Sequence, residues 1–273
     1  MGIDPIRYKP WSGERTSTRD RVFIIAKTFF RQKLKSKWVL AFLILGSILV
    51  FVFPVISNAM MPHETLDART MAFQMSSALF FMFTLLLAAL ICSDSIAEDL
   101  RSNSFVLYFS KAMKAESYLA GKMGGTILTL SLFCFLPPIL MAIVLMGTQS
   151  SSSYGASLGV LGRTIIASIV ATLFFIPFSV LISSLTTRKS YAAVGTFMAL
   201  FVLTIISAIF TESDPNWRLI NPGNVLAIFY EWLYGLGIPS NINIVLFSVM
   251  FTGFTLLPLN ILYLRIRMKA VGK

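Results

Sequence analysis

Long apolar runs separated by short polar segments dominate this chain. Six of them, residues 38–57, 71–93, 123–146, 164–185, 191–210 and 243–263, approach or exceed the roughly 20 apolar residues that a helix needs to cross a hydrocarbon core. The gaps between them are too short for a soluble domain. The pattern therefore predicts an all-α membrane protein with six transmembrane helices.

Residues 20–37 follow a different rule. With about 100° between successive residues of a helix, Val22, Phe23, Ile25, Ala26, Phe29, Phe30 and Leu34 share one face. Lys27, Thr28, Arg31, Gln32 and Lys35 occupy the other, while Ile24 and Lys33 break the pattern. Such an amphipathic helix is expected to lie in the membrane interface with its cations near anionic headgroups. The loop 94–122 is also longer than a connector needs. Its charged stretch 98–101 precedes an apolar one, 105–109, which wants either a partner surface or the chain's own helices. In the loop 211–242, Asn221-Pro222 is a helix start. Val225, Phe229, Trp232, Leu233 and Leu236 then fall on one face, and Gly235 and Gly237 stop the helix. Trp217, Trp232 and Tyr234 also suit an aromatic belt at the membrane surface.

Composition agrees with a lipid-solvated chain. Of the 273 residues, 56% are hydrophobic and 13% charged, with mean hydropathy +0.78; a soluble domain would carry about 25% charge. A net charge of +11 raises nucleic acid as a partner. The distribution argues against it, because the basic residues flank the apolar runs and form no stripe. Of 23 Lys and Arg residues, all but Arg69, Arg163 and Arg218 fall before the first run, after the second, after the fourth or in the tail. That bias predicts both termini on the cytoplasmic side. Residues 1–37 then form a cytoplasmic N-terminus holding the amphipathic helix, 38–263 the six-span domain and 264–273 a cytoplasmic tail, in the plasma membrane. The polar, basic start shows no cleavable signal peptide.

The chemistry missing from the spans narrows the function. Asp94 and Arg163 stand only at span edges, whereas an ion-coupled carrier keeps ionisable groups near mid-membrane. There is no His-Glu-x-x-His and no Walker A pattern, so no catalytic site is expected and energy for transport must come from another chain. Cys92 and Cys134 read as small buried residues, and His63 as a loop residue without metal-binding spacing. Pro54, Pro137-Pro138, Pro177 and Pro258 are expected to bend helices for packing. Gly121 and Gly125 allow a close helix contact at the cytoplasmic edge.

The spacing Glu98-Asp99-x-Arg101-Ser102-x-Ser104-x-x-x-Tyr108-x-Ser110-Lys111, followed by Glu116-x-Tyr118-x-x-Gly121-Lys122, resembles the signature loop of ABC-type-2 permeases, above all those of the nitrous-oxide-reductase maturation type. Asn103 stands where that group often has Gly, and Ala112 where it often has Pro. The resemblance implies the transmembrane subunit of an ATP-binding cassette exporter. Two copies would pair and bind two separate ATPase subunits, which hold ATP and Mg; this chain carries no cofactor. The loop after span two would be the coupling helix, docking on the ATPase through Glu98, Asp99 and Arg101 as polar contacts and Phe105 and Tyr108 as anchors. The route would run between the copies, lined by spans two and five at Gln74, Ser76, Ser77, Thr84, Thr196, Thr204 and Ser207, a mildly polar set that suits a hydrophobic or amphiphilic substrate. Without the resemblance, the alternative is a membrane channel or a scaffold that recruits partners.

Overall fold

The computed structural model describes residues 17–60, 68–105, 108, 113–147 and 154–270, and these contain helices and no strand. Helix α1 (Thr18–Leu34) precedes span one. Span one is α2 (Lys37–Ser47), a π-helical stretch (Ile48–Val52) and α3 (Phe53–Met60). Then come α4 (Ala68–Met75), α5 (Ala78–Cys92), the short α6 (Ala97–Arg101), α7 (Ala115–Cys134), α8 (Leu136–Gly147), α9 (Tyr154–Leu185) and α10 (Lys189–Phe210). A 3-10 turn (Pro215–Ile220) leads to α11 (Pro222–Leu233) and α12 (Ile244–Ala270). Six helices are long and apolar enough to cross a membrane, and the chain is a multi-pass membrane protein.

Several boundaries differ from the hydropathy reading, each for a local reason. The second run is broken at Ser76-Ser77. Ser77 adopts an extended backbone and its hydroxyl accepts the Phe80 N–H, capping a new helix. Spanning therefore starts at Ala78, and α4 is a separate element. The third run starts earlier, at Ala115, and is interrupted at Phe135 just before Pro137-Pro138, where proline removes the helical donors. The fourth begins at Tyr154, which puts Arg163 inside a helix rather than in a loop. The last continues past Tyr263 to Ala270, so most of the expected tail is helical. In span one, Pro54 has no N–H to offer the Val50 carbonyl; the Gln74 side-chain amide from α4 donates to that oxygen instead. His63 lies outside the described residues.

Phenylalanines knit the bundle. Phe51, Phe80, Phe83 and Phe133 join spans one, two and three in ring contacts of 5.7–6.2 Å. Phe174, Phe251, Phe254 and Phe229 do the same for α9, α12 and α11. Cys92 and Cys134 are buried and unpaired. The start of α7, the end of α9 and the last turns of α12 meet at one end: Tyr263 donates to Glu116 at 3.2 Å and Arg265 to the Ser184 carbonyl at 3.0 Å. This is the basic end, and α11 sits at the other.

Candidate functional site

At the basic end, polar side chains from α1, α7 and α9 converge on α6 and the segment that joins it to α5. Asp94 forms an ion pair with Lys33 of α1, whose ammonium also donates to the Leu90 carbonyl at 3.0 Å. Burial pushes Lys33 below the usual lysine range, against the opposing pull of Asp94. Five residues on, Asp99 pairs with Lys122 of α7 at 2.7 Å and accepts the Tyr118 hydroxyl at 2.6 Å. Both lysine ammoniums lie about 5.5 Å or less from the Phe29 ring centre. From α9, the buried Ser183 hydroxyl accepts the N–H groups of Ile96 and Ala97, each at 3.1 Å, and donates to the Ser93 carbonyl. Helix α6 has no capping side chain of its own; the residue that caps it lies more than 80 positions away. The short helix is thus tied to α1, α7 and α9 at once.

The residues expected to dock a partner divide between surface and interior. Glu98 and Arg101 face outward and pair with each other at 2.6 Å. Asp99 is only 8% exposed and points into the protein. Phe105 is buried, its ring 5.3 Å from that of Tyr118. Tyr108 is half-buried against the same ring, at 5.2 Å. Burial and, next, the nearby Asp99 charge push its hydroxyl pKa up. Phe105 and Tyr108 therefore pack against this chain's own α7. Asn103 has a φ of 54°. That left-handed backbone favours glycine and, after it, asparagine, so the departure from glycine at this position keeps the turn. Ala112, Ser110 and Lys111 lie outside the described residues.

Helix α1 does not rest on lipid alone. Its face of Val22, Ile25, Ala26 and Phe29 packs along α7. There a Cβ added at Gly121 would stand 2.9 Å from the Ile25 Cβ, and one at Gly125 would stand 2.9 Å from the Ala26 carbonyl oxygen. The two glycines make the close contact that their spacing foretold, at the basic edge. Phe23, placed on the apolar face by the helical wheel, is exposed, as is Ile24. Lys33, which broke that face, is buried in it because Asp94 awaits it there.

At the opposite end, α11 starts as expected, with the Asn221 side chain accepting the Gly223 N–H at 2.9 Å. Gly235 and Gly237 take positive φ values beyond its end. Its buried face is Val225, Leu226, Ile228 and Tyr230, while Trp232 and Leu236 are exposed. Tyr234 is no surface anchor: its hydroxyl meets that of Thr164 at 2.8 Å, and its carbonyl accepts from Arg163 at 2.7 Å. Between α10, the 3-10 turn and α11 opens a cavity of about 580 Å³, lined among others by Thr204, Ser207, Glu212, Arg218, Asn224 and Glu231.

The ABC-2 family transporter protein family matches residues 23–265, almost the whole chain. The chain belongs to that family. No curated protein matches it by sequence. As an ABC-2 permease it is the transmembrane component of an ABC transporter and not itself the catalytic part, which sets aside the channel and scaffold readings.

Within the permease, the hydroxyls expected along a route have separate fates. Thr84 and Thr196 are fully buried, their hydroxyls returned to the carbonyls of Phe80 and Ala192 one turn back. Ser76 bonds the Ala72 carbonyl, Ser77 caps α5, and Gln74 serves Val50. Thr204 and Ser207 reach the cavity beneath α11. There they meet Asn221 and Asn224 at 3.3 and 3.4 Å. Sequence reasoning overlooked Asp94, Lys122 and Ser183 as members of one cluster. Lys33 carried a signal, as a charge on an apolar face; Ser183 carried none.

Proposed function

We propose that this permease works as one of two copies in an ATP-driven exporter of a hydrophobic or amphiphilic substrate, with a separate ATP-binding cassette ATPase, which holds ATP and Mg, docking at α6. The brace around α6 carries this reading. An element that transmits nucleotide-driven motion must be rigid and must pull on several helices together. Asp99, Phe105 and Ser183 supply the inward attachment, leaving Glu98 and Arg101 as the outward groups. The left-handed turn at Asn103 and the loop spacing support kinship with the nitrous-oxide-reductase maturation type.

The test exchanges the outward charges. Glu98→Lys with Arg101→Glu keeps their mutual attraction, and an exposed pair of this kind contributes about 0–1 kcal/mol to stability. Melting of the permease should therefore stay near the parent value, while co-purification of the ATPase and permease-stimulated ATP hydrolysis fall at least several-fold. Full retention of both by this variant would place docking elsewhere.

The pairing and orientation have support of their own. The lysine and arginine bias favours the basic end as cytoplasmic. Along α10, Met198, Val202, Ile205 and Ile209 leave an exposed apolar stripe, a surface on which a second copy can pack more closely than lipid. In a background lacking Cys92 and Cys134, single cysteines at Met198, Val202 and Ile205 should cross-link between copies, and more strongly than one at Thr196. In the same background, a cysteine replacing Ser151 should react with a membrane-impermeant maleimide from outside intact cells. Cross-linking at Thr196 alone would overturn the proposed seam, and an unreactive residue 151 that reacts only in opened cells would reverse the orientation.

A further inference from the structure

Below the elbow between α1 and α2 lies a second cleft, of about 620 Å³, which borders the brace at the Lys33–Asp94 pair and is separate from the far cavity. Its walls come from the elbow, the end of α5 and the start of α10, so spans one, two and five all begin or end at it. Three lysines line it: Lys33, Lys35 and Lys189. Lys33 is neutralised by Asp94, the only acidic group in the lining. Lys35 and Lys189 have no ion pair among the described residues, so the cleft keeps an uncompensated positive charge. Ser36 and Ser190 add hydroxyls to the same wall.

The backbone adds to those lysines. Helix α2 starts after Ser36 and α10 after Arg188, and neither cap residue's side chain bonds to the first turn. The unpaired N–H groups and the positive dipole end of both helices therefore lie where Lys35 and Lys189 stand. Two cations, two hydroxyls and two open helix starts form a receptor for a phosphate oxyanion.

The remaining lining identifies what carries that phosphate. Val39, Leu90 and Ala193 give the cleft an apolar floor. Trp38, 72% exposed, stands in the lining at the first turn of span one, the level at which indoles sit between headgroups and acyl chains. From there α2 continues with Leu40 and Ile44 exposed, an apolar track for an acyl chain. A soluble phosphate compound would have no use for it. We propose that this cleft binds the phosphate headgroup of an anionic lipid from the leaflet at the basic end, with Lys35 and Lys189 holding the phosphate and Trp38 beside the glycerol region.

The site is tested on the full chain, without any ATPase, so that its failure leaves the transporter reading intact. With Trp11, Trp217 and Trp232 replaced by Phe, Trp38 is the only indole, and brominated lipids quench it on contact. In phosphatidylcholine vesicles, brominated phosphatidylglycerol should quench Trp38 at a lower mole fraction than brominated phosphatidylcholine, by on the order of tenfold for two lysines near the surface. Lys35→Gln with Lys189→Gln should bring the two lipids level. Lys35→Arg with Lys189→Arg, which keeps the charge, should preserve the preference. Lys27→Gln with Arg31→Gln, on the exposed face of α1, should leave it unchanged. Equal quenching by both lipids in the parent overturns the proposal. So does a preference that falls equally with the Lys27 and Arg31 pair, which would reduce it to a diffuse surface field. Loss of the preference on adding soluble glycerol phosphate would assign the cleft to a free phosphate compound and overturn the lipid assignment.

Discussion

Asp99→Ala should cost the permease roughly 3–5 kcal/mol of stability, because it leaves the Lys122 ammonium buried without its anion. The side chains of both partners are about nine-tenths buried, so water cannot readily replace the carboxylate. The Tyr118 hydroxyl loses its acceptor in the same step, which adds to the penalty. Replacing the whole unit should do much less harm. Asp99→Leu with Lys122→Met and Tyr118→Phe removes every orphaned polar group, and such apolar replacements are often neutral or stabilising. Thermal melting in detergent checks the stability ranking. The triple variant also separates stability from function, because it should melt near the parent yet transmit less of the ATPase-driven motion if the polar brace carries force. A single Asp99→Ala variant that melts with the parent would show that the pair is solvated and that α6 is held by Ser183 and Phe105 alone.

Alanine at Gly125 should loosen α1 from α7. The new Cβ would stand 2.9 Å from both the Ala26 carbonyl oxygen and the Phe29 Cβ, and neither is the free end of a flexible side chain. The helices must separate, at about 1–3 kcal/mol for overpacking of this kind. Adding Gly121→Ala repeats the clash one turn earlier, against Ile25. As α1 moves away it draws Phe29 off Lys122 and Lys33 off Asp94. Amide exchange over residues 18–34 should therefore accelerate sharply in the double variant. Two controls bracket the effect. At Gly124 the added Cβ would meet the Ala26 Cβ at an ordinary 3.5 Å, and at Gly159 nothing lies within 4 Å. Alanine at either site should leave exchange in α1 unchanged, and helix propensity favours it by roughly 0.5–1 kcal/mol. Equal exchange in the Gly125 and Gly124 variants would mean that α1 is not clamped by this contact.

Some features of the brace were legible before any fold. Gly121 and Gly125 announced a close approach, and the unusual length of the loop 94–122 singled out the segment that holds α6; that Asn103 keeps a left-handed turn was visible only in the structure. Other features were left open by the sequence for one shared reason. Phe105 and Tyr108 looked like anchors for another chain because an apolar stretch in a polar loop must be covered, and the sequence does not say by what. Tyr118, which covers them, is itself part of span three. Tyr234 looked like a belt residue on the same logic, and is instead held by Thr164 and Arg163.

The sequence by itself determined the class of the molecule and the six spans, because hydrocarbon imposes a length and an apolar composition on anything that crosses it. It also carried the charge bias between the ends. Which face of each span turns inward was decided only by the tertiary structure. In lipid the exposed and buried sides of a helix are both apolar, so periodicity loses the contrast that reveals a buried face in water. That is why Thr84 and Thr196 could be read as lining a route when each is sealed inside the chain. It is also why the partners of Lys33 and of Ser183, 61 and roughly 90 residues away, appear only once α1, α5 and α9 have packed. Buried polar groups must find partners wherever the fold delivers them, and no local pattern in the chain records where that will be.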